Sequence, residues 1–246
     1  VLVDSTGDKG WIAAVGSIVN RFKDDARRSR WMPRQQRTIA KPAVVEGFGY
    51  WSGKDVRVEF RPAAADTGIV FVRGDLERAV GIRALVANRV ETPRRTTLRA
   101  GGASVEMVEH IMAALGGLCI DNCEVCVNAS EMPGCDGSSK PFVEALLGVG
   151  IVSQPAVRAA LIVNDITRLG NDESWVEARP TTSSGLSVKF HLDYGSASAI
   201  GRQTISLPIT PDSFRRELAS CRTFMLKHEA DWLLAQGFGK RASFED

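Results

Sequence analysis

The sequence predicts an α+β fold built as two units, and three features carry that prediction. A long β-rich stretch precedes the first helical pattern. A helix, a strand and a second helix close that stretch, and a further run of strands from about Pro155 begins to repeat the order of sheet then helix. With 246 residues, 44% hydrophobic and 24% charged, the chain has enough apolar material for one large core or two small ones.

The first residues differ from the rest. Trp11, Val15, Ile18, Val19 and Phe22 recur at helical spacing before Arg27-Arg28-Ser29-Arg30, the pattern of an amphipathic basic helix. Met32-Pro33-Arg34 reads as a natural start, so residues 1–35 are expected to be an extension outside the folded core. Strand patterns follow at Thr38 to Val45 and, after a Gly-rich turn at Gly47 to Gly53, at Val56, Val58 and Phe60, with Pro62 ending the run. Gly68 to Val72, Ala84 to Val90 and Thr97 to Arg99 continue the β material to a turn at Gly101-Gly102.

At Glu109 the period changes. Ile111, Met112, Leu115 and Leu118 form a helical stripe, Cys123 to Val127 reads as a strand, and a second helix is expected from Lys140 to about Gly148. Leu161 to Arg168, Ser174 to Ala178 and Leu186 to Leu192 read as a meander turning at Gly170-Asn171-Asp172, and Thr204 to Leu207 adds a strand. Thr210-Pro211 supplies a cap and a first-turn proline for a helix through Phe214 to Leu218. The expected domains are therefore 36–154 and 155–246.

Charge limits the partners. Lys and Arg total 31 against 29 acids, so the molecule has no strong overall field to draw in nucleic acid or an anionic membrane. No run approaches the ~20 apolar residues that cross a bilayer, and the N-terminus lacks the order of a secretory signal, so a cytoplasmic protein is expected. Five cysteines in a long chain argue against a disulfide framework. Cys123 and Cys126 have a zinc-knuckle spacing, but positions three apart on a strand point to opposite faces, and buried free thiols are the expectation.

Val108-Glu109-His110 is the most informative motif. A carboxylate beside an imidazole at a helix start can present a proton-transfer base and a metal ligand to one cavity, the chemistry of a zinc hydrolase. A lone histidine near a helix start is also a common structural group. Asp136-Gly137-Ser138 reads first as a turn.

Taken together, Gln36-Arg37-Thr38, Ala65-Asp66-Thr67-Gly68, Arg95-Thr96-Thr97-Leu98, Val108-Glu109-His110, Ile120-Asp121-Asn122, Asp136-Gly137-Ser138, Pro141-Phe142-Val143 and Cys221-Arg222-Thr223-Phe224 resemble the zinc-dependent UDP-3-O-acyl-N-acetylglucosamine deacetylases of lipid A biosynthesis, in the family's order. The resemblance implies a two-domain sandwich, each domain a sheet carrying helices that pack between the domains. It implies Zn²⁺ as cofactor, His110 as a zinc ligand, Glu109 as general base and Thr223 as an oxyanion-stabilising group. It also implies an acyl-chain tunnel walled by an inserted helix at about Glu229 to Gln236, with Ala230, Leu233, Leu234 and Phe238 touching the acyl chain. The implied partner is a UDP-linked acylated glucosamine, for a cytoplasmic monomer with peripheral contact at the inner membrane.

Two departures stand out. The family completes its zinc site with a His-x-x-x-Asp motif beyond the tunnel element, and Asp246 precedes any such motif. A C-terminally truncated copy, inactive alone and with an incomplete second domain, is the expectation; the alternative is a non-catalytic relative that binds a nucleotide sugar or a protein partner. His228 and Asp231 share a helix face, but they fall in the tunnel helix. The second departure is Trp51, where the family commonly carries histidine.

Overall fold

The computed structural model describes residues 34–182, 185–239 and 241. The amphipathic pattern of residues 1–31 lies outside the described residues, as does nearly all of the expected extension at 1–35. The fold is α+β, and it separates into two compact units, one formed by 35–156 with 187–246 and the other by Arg34 with 157–186.

The larger unit is organised on a five-stranded sheet in the order β2-β3-β9-β4-β5, formed by β2 (Ala43–Phe48), β3 (Asp55–Pro62), β4 (Ile69–Arg73), β5 (Val80–Arg83) and β9 (Cys123–Val127). β9 runs parallel to β4 and antiparallel to β3; the remaining pairs are antiparallel. Alternation decides the faces. Val56, Val58 and Phe60 of β3 and Cys123, Val125 and Val127 of β9 are buried, while the residues between them face outward.

The inward face is covered by α1 (Glu109–Gly117) and α2 (Lys140–Gly148). Ile111, Leu115 and Leu118 join Phe142, Val143 and Leu146 in one core, and Phe60 meets Phe142 edge to face with ring centroids 6.3 Å apart. Both helices occupy the spans that the apolar spacing predicts. Beside them, β6 (Arg89–Val90), β7 (Thr97–Ala100) and β8 (Ala103–Glu106) form a three-stranded sheet, and β1 (Gln35–Ile39) pairs with β10 (Ile151–Val157).

Three expectations change. The single strand over 38–45 divides into β1 and β2. The strand expected over Ala84 to Val90 is interrupted by a 3₁₀ turn at Val86–Asn88, so its pairing falls to β5 before it and β6 after it. The meander is two separate hairpins: β11 (Thr167–Gly170) with β12 (Trp175–Ala178), and β13 (Leu186–Asp193) with β14 (Arg202–Ile209).

The first hairpin belongs to the smaller unit. Its turn is set by Asn171, whose side-chain oxygen accepts from the N–H groups of Glu173 and Ser174, and Arg168 lies over the Trp175 ring at 4.1 Å.

After β14, Thr210 caps α3 (Pro211–Ser213) by accepting from the Ser213 N–H at 3.1 Å, as the Thr-Pro pair predicts. The chain then widens into a π-helical turn at Phe214–Leu218, closed by the Ala219 N–H on the Phe214 carbonyl. That turn carries Phe214 against α1, where Gly117 leaves no room for a Cβ. A last helix, α4 (Lys227–Ala235), begins two residues before its expected start.

Candidate functional site

Glu109 and His110 stand where β8 gives way to α1. Between them and the strand is Met107, buried and with φ of +61°, a left-handed conformation that costs a side-chain-bearing residue roughly 1–2 kcal/mol. The sharp turn it makes starts the helix at Glu109, in the first turn, where a carboxylate also complements the helix dipole.

Both residues are half-buried. Glu109 Oε2 accepts the backbone N–H of Thr96 at 3.1 Å, which fixes the carboxylate against the loop before β7. The next residue, Thr97, is buried, and its Oγ1 is the one buried side-chain oxygen or nitrogen among the described residues that meets no partner. Burial pushes the pKa of His110 below its ordinary value, opposed by the nearby Glu109 and Asp136 carboxylates. A neutral imidazole is the form that can ligate a metal.

Asp136 belongs to the loop between β9 and α2. Its carboxylate accepts from Ser138 N–H at 3.0 Å and Ser138 Oγ at 2.8 Å, and Ser138 Oγ accepts from Lys140 N–H at 3.1 Å. The turn expected from the sequence is present, and the same loop reaches Thr223. Gly137, with φ of +78°, turns its carbonyl to accept the Thr223 N–H at 2.9 Å. Thr223 is exposed, and with its N–H committed to Gly137 its hydroxyl is the donor it has left to offer.

The four residues expected along the acyl chain sit in different environments. Leu233 is buried, Ala230 is half-buried, and Leu234 and Phe238 are exposed. How this helix is held is not visible in the linear pattern. Glu229 accepts the Leu226 N–H at 3.0 Å and pairs with Arg94 at 3.3 Å, contacts that hold its carboxyl below the usual range. Beyond α4, Phe238 meets Trp51 edge to face at 5.2 Å, and the Gly239 N–H donates to the Tyr50 carbonyl at 3.0 Å.

The metal expectation can be tested on the donors. Among the described residues no group of three or more His, Cys, Asp or Glu side chains could hold an ion, so His110 has no completed ligand set around it. Asp231, the acid three residues from His228, is ion-paired with Lys227 at 2.7 Å. Cys123 is buried and Cys126 faces outward, as the strand period requires, and burial raises the Cys123 thiol to about 12. The described residues therefore do not by themselves fit a catalytic zinc, which needs three protein ligands. Among them there is also no helix long and apolar enough to cross a membrane.

Comparison with known proteins places these features. The sequence profile of the UDP-3-O-acyl N-acetylglycosamine deacetylases matches residues 36–246. A UDP-3-O-acyl-N-acetylglucosamine deacetylase of Bdellovibrio bacteriovorus is 36% identical over 211 residues, covering 86% of this chain and 69% of that protein. One from Phenylobacterium zucineum is 39% identical over 213 residues, covering 86% and 72%. The bifunctional enzyme LpxC/FabZ of Chlorobaculum tepidum is 35% identical over 211 residues, and the chain spans 45% of its length.

Proposed function

Since the chain belongs to the UDP-3-O-acyl N-acetylglycosamine deacetylase family, a family of enzymes, we propose that it serves the deacetylation of UDP-3-O-acyl-N-acetylglucosamine in lipid A biosynthesis, with Glu109, His110 and Thr223 at the reacting end. The observation that carries this reading is the Glu109-His110 pair presented at one helix start by the left-handed Met107.

Amide hydrolysis needs a base for the attacking water and a donor for the charge that develops on the carbonyl oxygen. Glu109, anchored by Thr96, takes the water proton. The Thr223 hydroxyl donates to the oxyanion, a contribution of ~2.7–4 kcal/mol for a typical donor. The proton returns to the departing amine, leaving acetate and a glucosamine nitrogen. Ala230, Leu233, Leu234 and Phe238 are assigned to the acyl chain, whose burial anchors the substrate at ~0.8 kcal/mol per CH₂.

Zn²⁺ is the proposed metal and His110 one of its ligands, supported by the resemblance and by burial that keeps the ring neutral. The donors that would complete the set are not among the described residues. The proposal extends to a cytoplasmic monomer, with domains at 36–154 and 155–246 and at most peripheral contact with the inner membrane.

A second reading is a non-catalytic relative that binds a nucleotide sugar or a protein partner. Zinc content and acetate release separate the two. The deacetylase reading expects about one zinc per chain in the native-length protein and loss of acetate release with Glu109→Ala. A pure binder shows neither.

A further inference from the structure

Trp51 occupies a junction that neither the catalytic pair nor the acyl-binding residues explain. Its indole N–H donates to Met107 Sδ at 3.4 Å, and Met107 is the left-handed residue that sets the start of α1. The Arg95 guanidinium lies over its ring at 4.6 Å; Arg95 is ion-paired with Glu106 and directly precedes Thr96, the residue that holds Glu109. The ring also meets Phe238, edge to face, from the segment after α4. The two sequence segments that fix Glu109 thus meet the acyl-binding element at one half-buried side chain.

We propose that Trp51 is a positioning residue that couples the seating of α4 and Phe238 to the placement of the Glu109 carboxylate. The inference rests on the reading of Glu109 as the base and of Phe238 as an acyl contact. A guanidinium is drawn to the face of an indole, and an aromatic edge to the same ring system, so Trp51 favours one arrangement in which both neighbours are docked. When an acyl chain holds Phe238 in place, the ring is held too, and with it Met107 and Arg95. Occupancy of the distal binding element is thereby felt at the reacting carboxylate, a way of directing remote binding energy to the chemical step. Arg94, paired with Glu229 on α4, ties the same loop to the same helix from the opposite end.

Amide hydrogen exchange on the native-length protein tests the coupling, with residues 106–112 and 227–239 followed separately. Phe238→Ala is expected to speed exchange in 227–239 and, through Trp51, to speed it roughly tenfold in 106–112. In a Trp51→Ala background the second effect is expected to vanish, whereas Trp51→Phe, which keeps a ring between Arg95 and Phe238, retains most of it. The same cycle read in acetate release gives Phe238→Ala a lower kcat as well as a higher KM, with the kcat loss absent when Trp51 is alanine. Unchanged exchange in 106–112 after Phe238→Ala, or an effect that persists without Trp51, overturns the proposal. A protein that releases no acetate yet keeps the exchange coupling defeats the assigned reaction and leaves the coupling standing.

Discussion

The Thr96 N–H donates to Glu109 Oε2 at 3.1 Å, so the carboxylate at the head of α1 is held by a loop thirteen residues earlier in the chain. Glutamine at 109 keeps an acceptor for that N–H and alanine does not. Glu109→Gln is expected to match the parent in urea unfolding within ~0.5 kcal/mol, with Glu109→Ala about 1 kcal/mol less stable. Equal stability of the two variants would show that Thr96 does not anchor the side chain.

Gly117 packs against the Phe214 ring with no space for a Cβ. Gly117→Ala should therefore cost about 1–3 kcal/mol through overpacking, despite alanine's better helix propensity, and Phe214→Leu should recover part of the loss. A stabilising Gly117→Ala would mean that the contact is loose.

Cys119 follows α1 with φ of +58°; its N–H donates to Gly116, and the Ile120 N–H donates to Leu115, which satisfies the last carbonyls of the helix. Glycine adopts this conformation without the penalty that a side chain brings. Cys119→Gly is expected to raise stability by about 0.5–1 kcal/mol in chemical denaturation, and a lower midpoint would contradict the left-handed cap.

Burial pushes the Cys123 thiol to about 12 and the Cys135 thiol to about 11. Both exceed the ordinary thiol range, so their contribution to stability is complete below that range and is lost as pH climbs through 11 to 12. At pH 8 a thiol reagent should modify exposed Cys221 and spare Cys123 and Cys135 until the protein unfolds. Rapid modification of Cys123 in the native protein would contradict its place in the core.

Much of the fold was legible because local period and burial agree. Val56, Val58 and Phe60 alternate along a strand that is buried on one face, and the stripe from Ile111 to Leu118 lies on a helix that covers the sheet. β10 was not legible: Pro155 reads as the start of a second unit, yet it lies inside a strand that pairs with β1 alone, where a proline is tolerated. Ala84 to Val90 has strand composition, but its centre is a 3₁₀ turn held by the Asn88 N–H on the Leu85 carbonyl.

The Glu109-His110 pair could be read as a motif, whereas its supports could not. The bonds from Thr96 to Glu109 and from Thr223 to Gly137, and the edge-to-face contact of Trp51 with Phe238, join residues apart in sequence through backbone groups or rings, which leave no pattern in a linear chain.

Acetate release from UDP-3-O-acyl-N-acetylglucosamine by the native-length protein, compared with its Glu109→Gln variant, tests the central assignment most directly. Loss of the base should lower kcat by about 10²–10⁴-fold while zinc content and unfolding midpoint stay at the parent values. Turnover by Glu109→Gln at the parental rate would remove Glu109 from the chemistry.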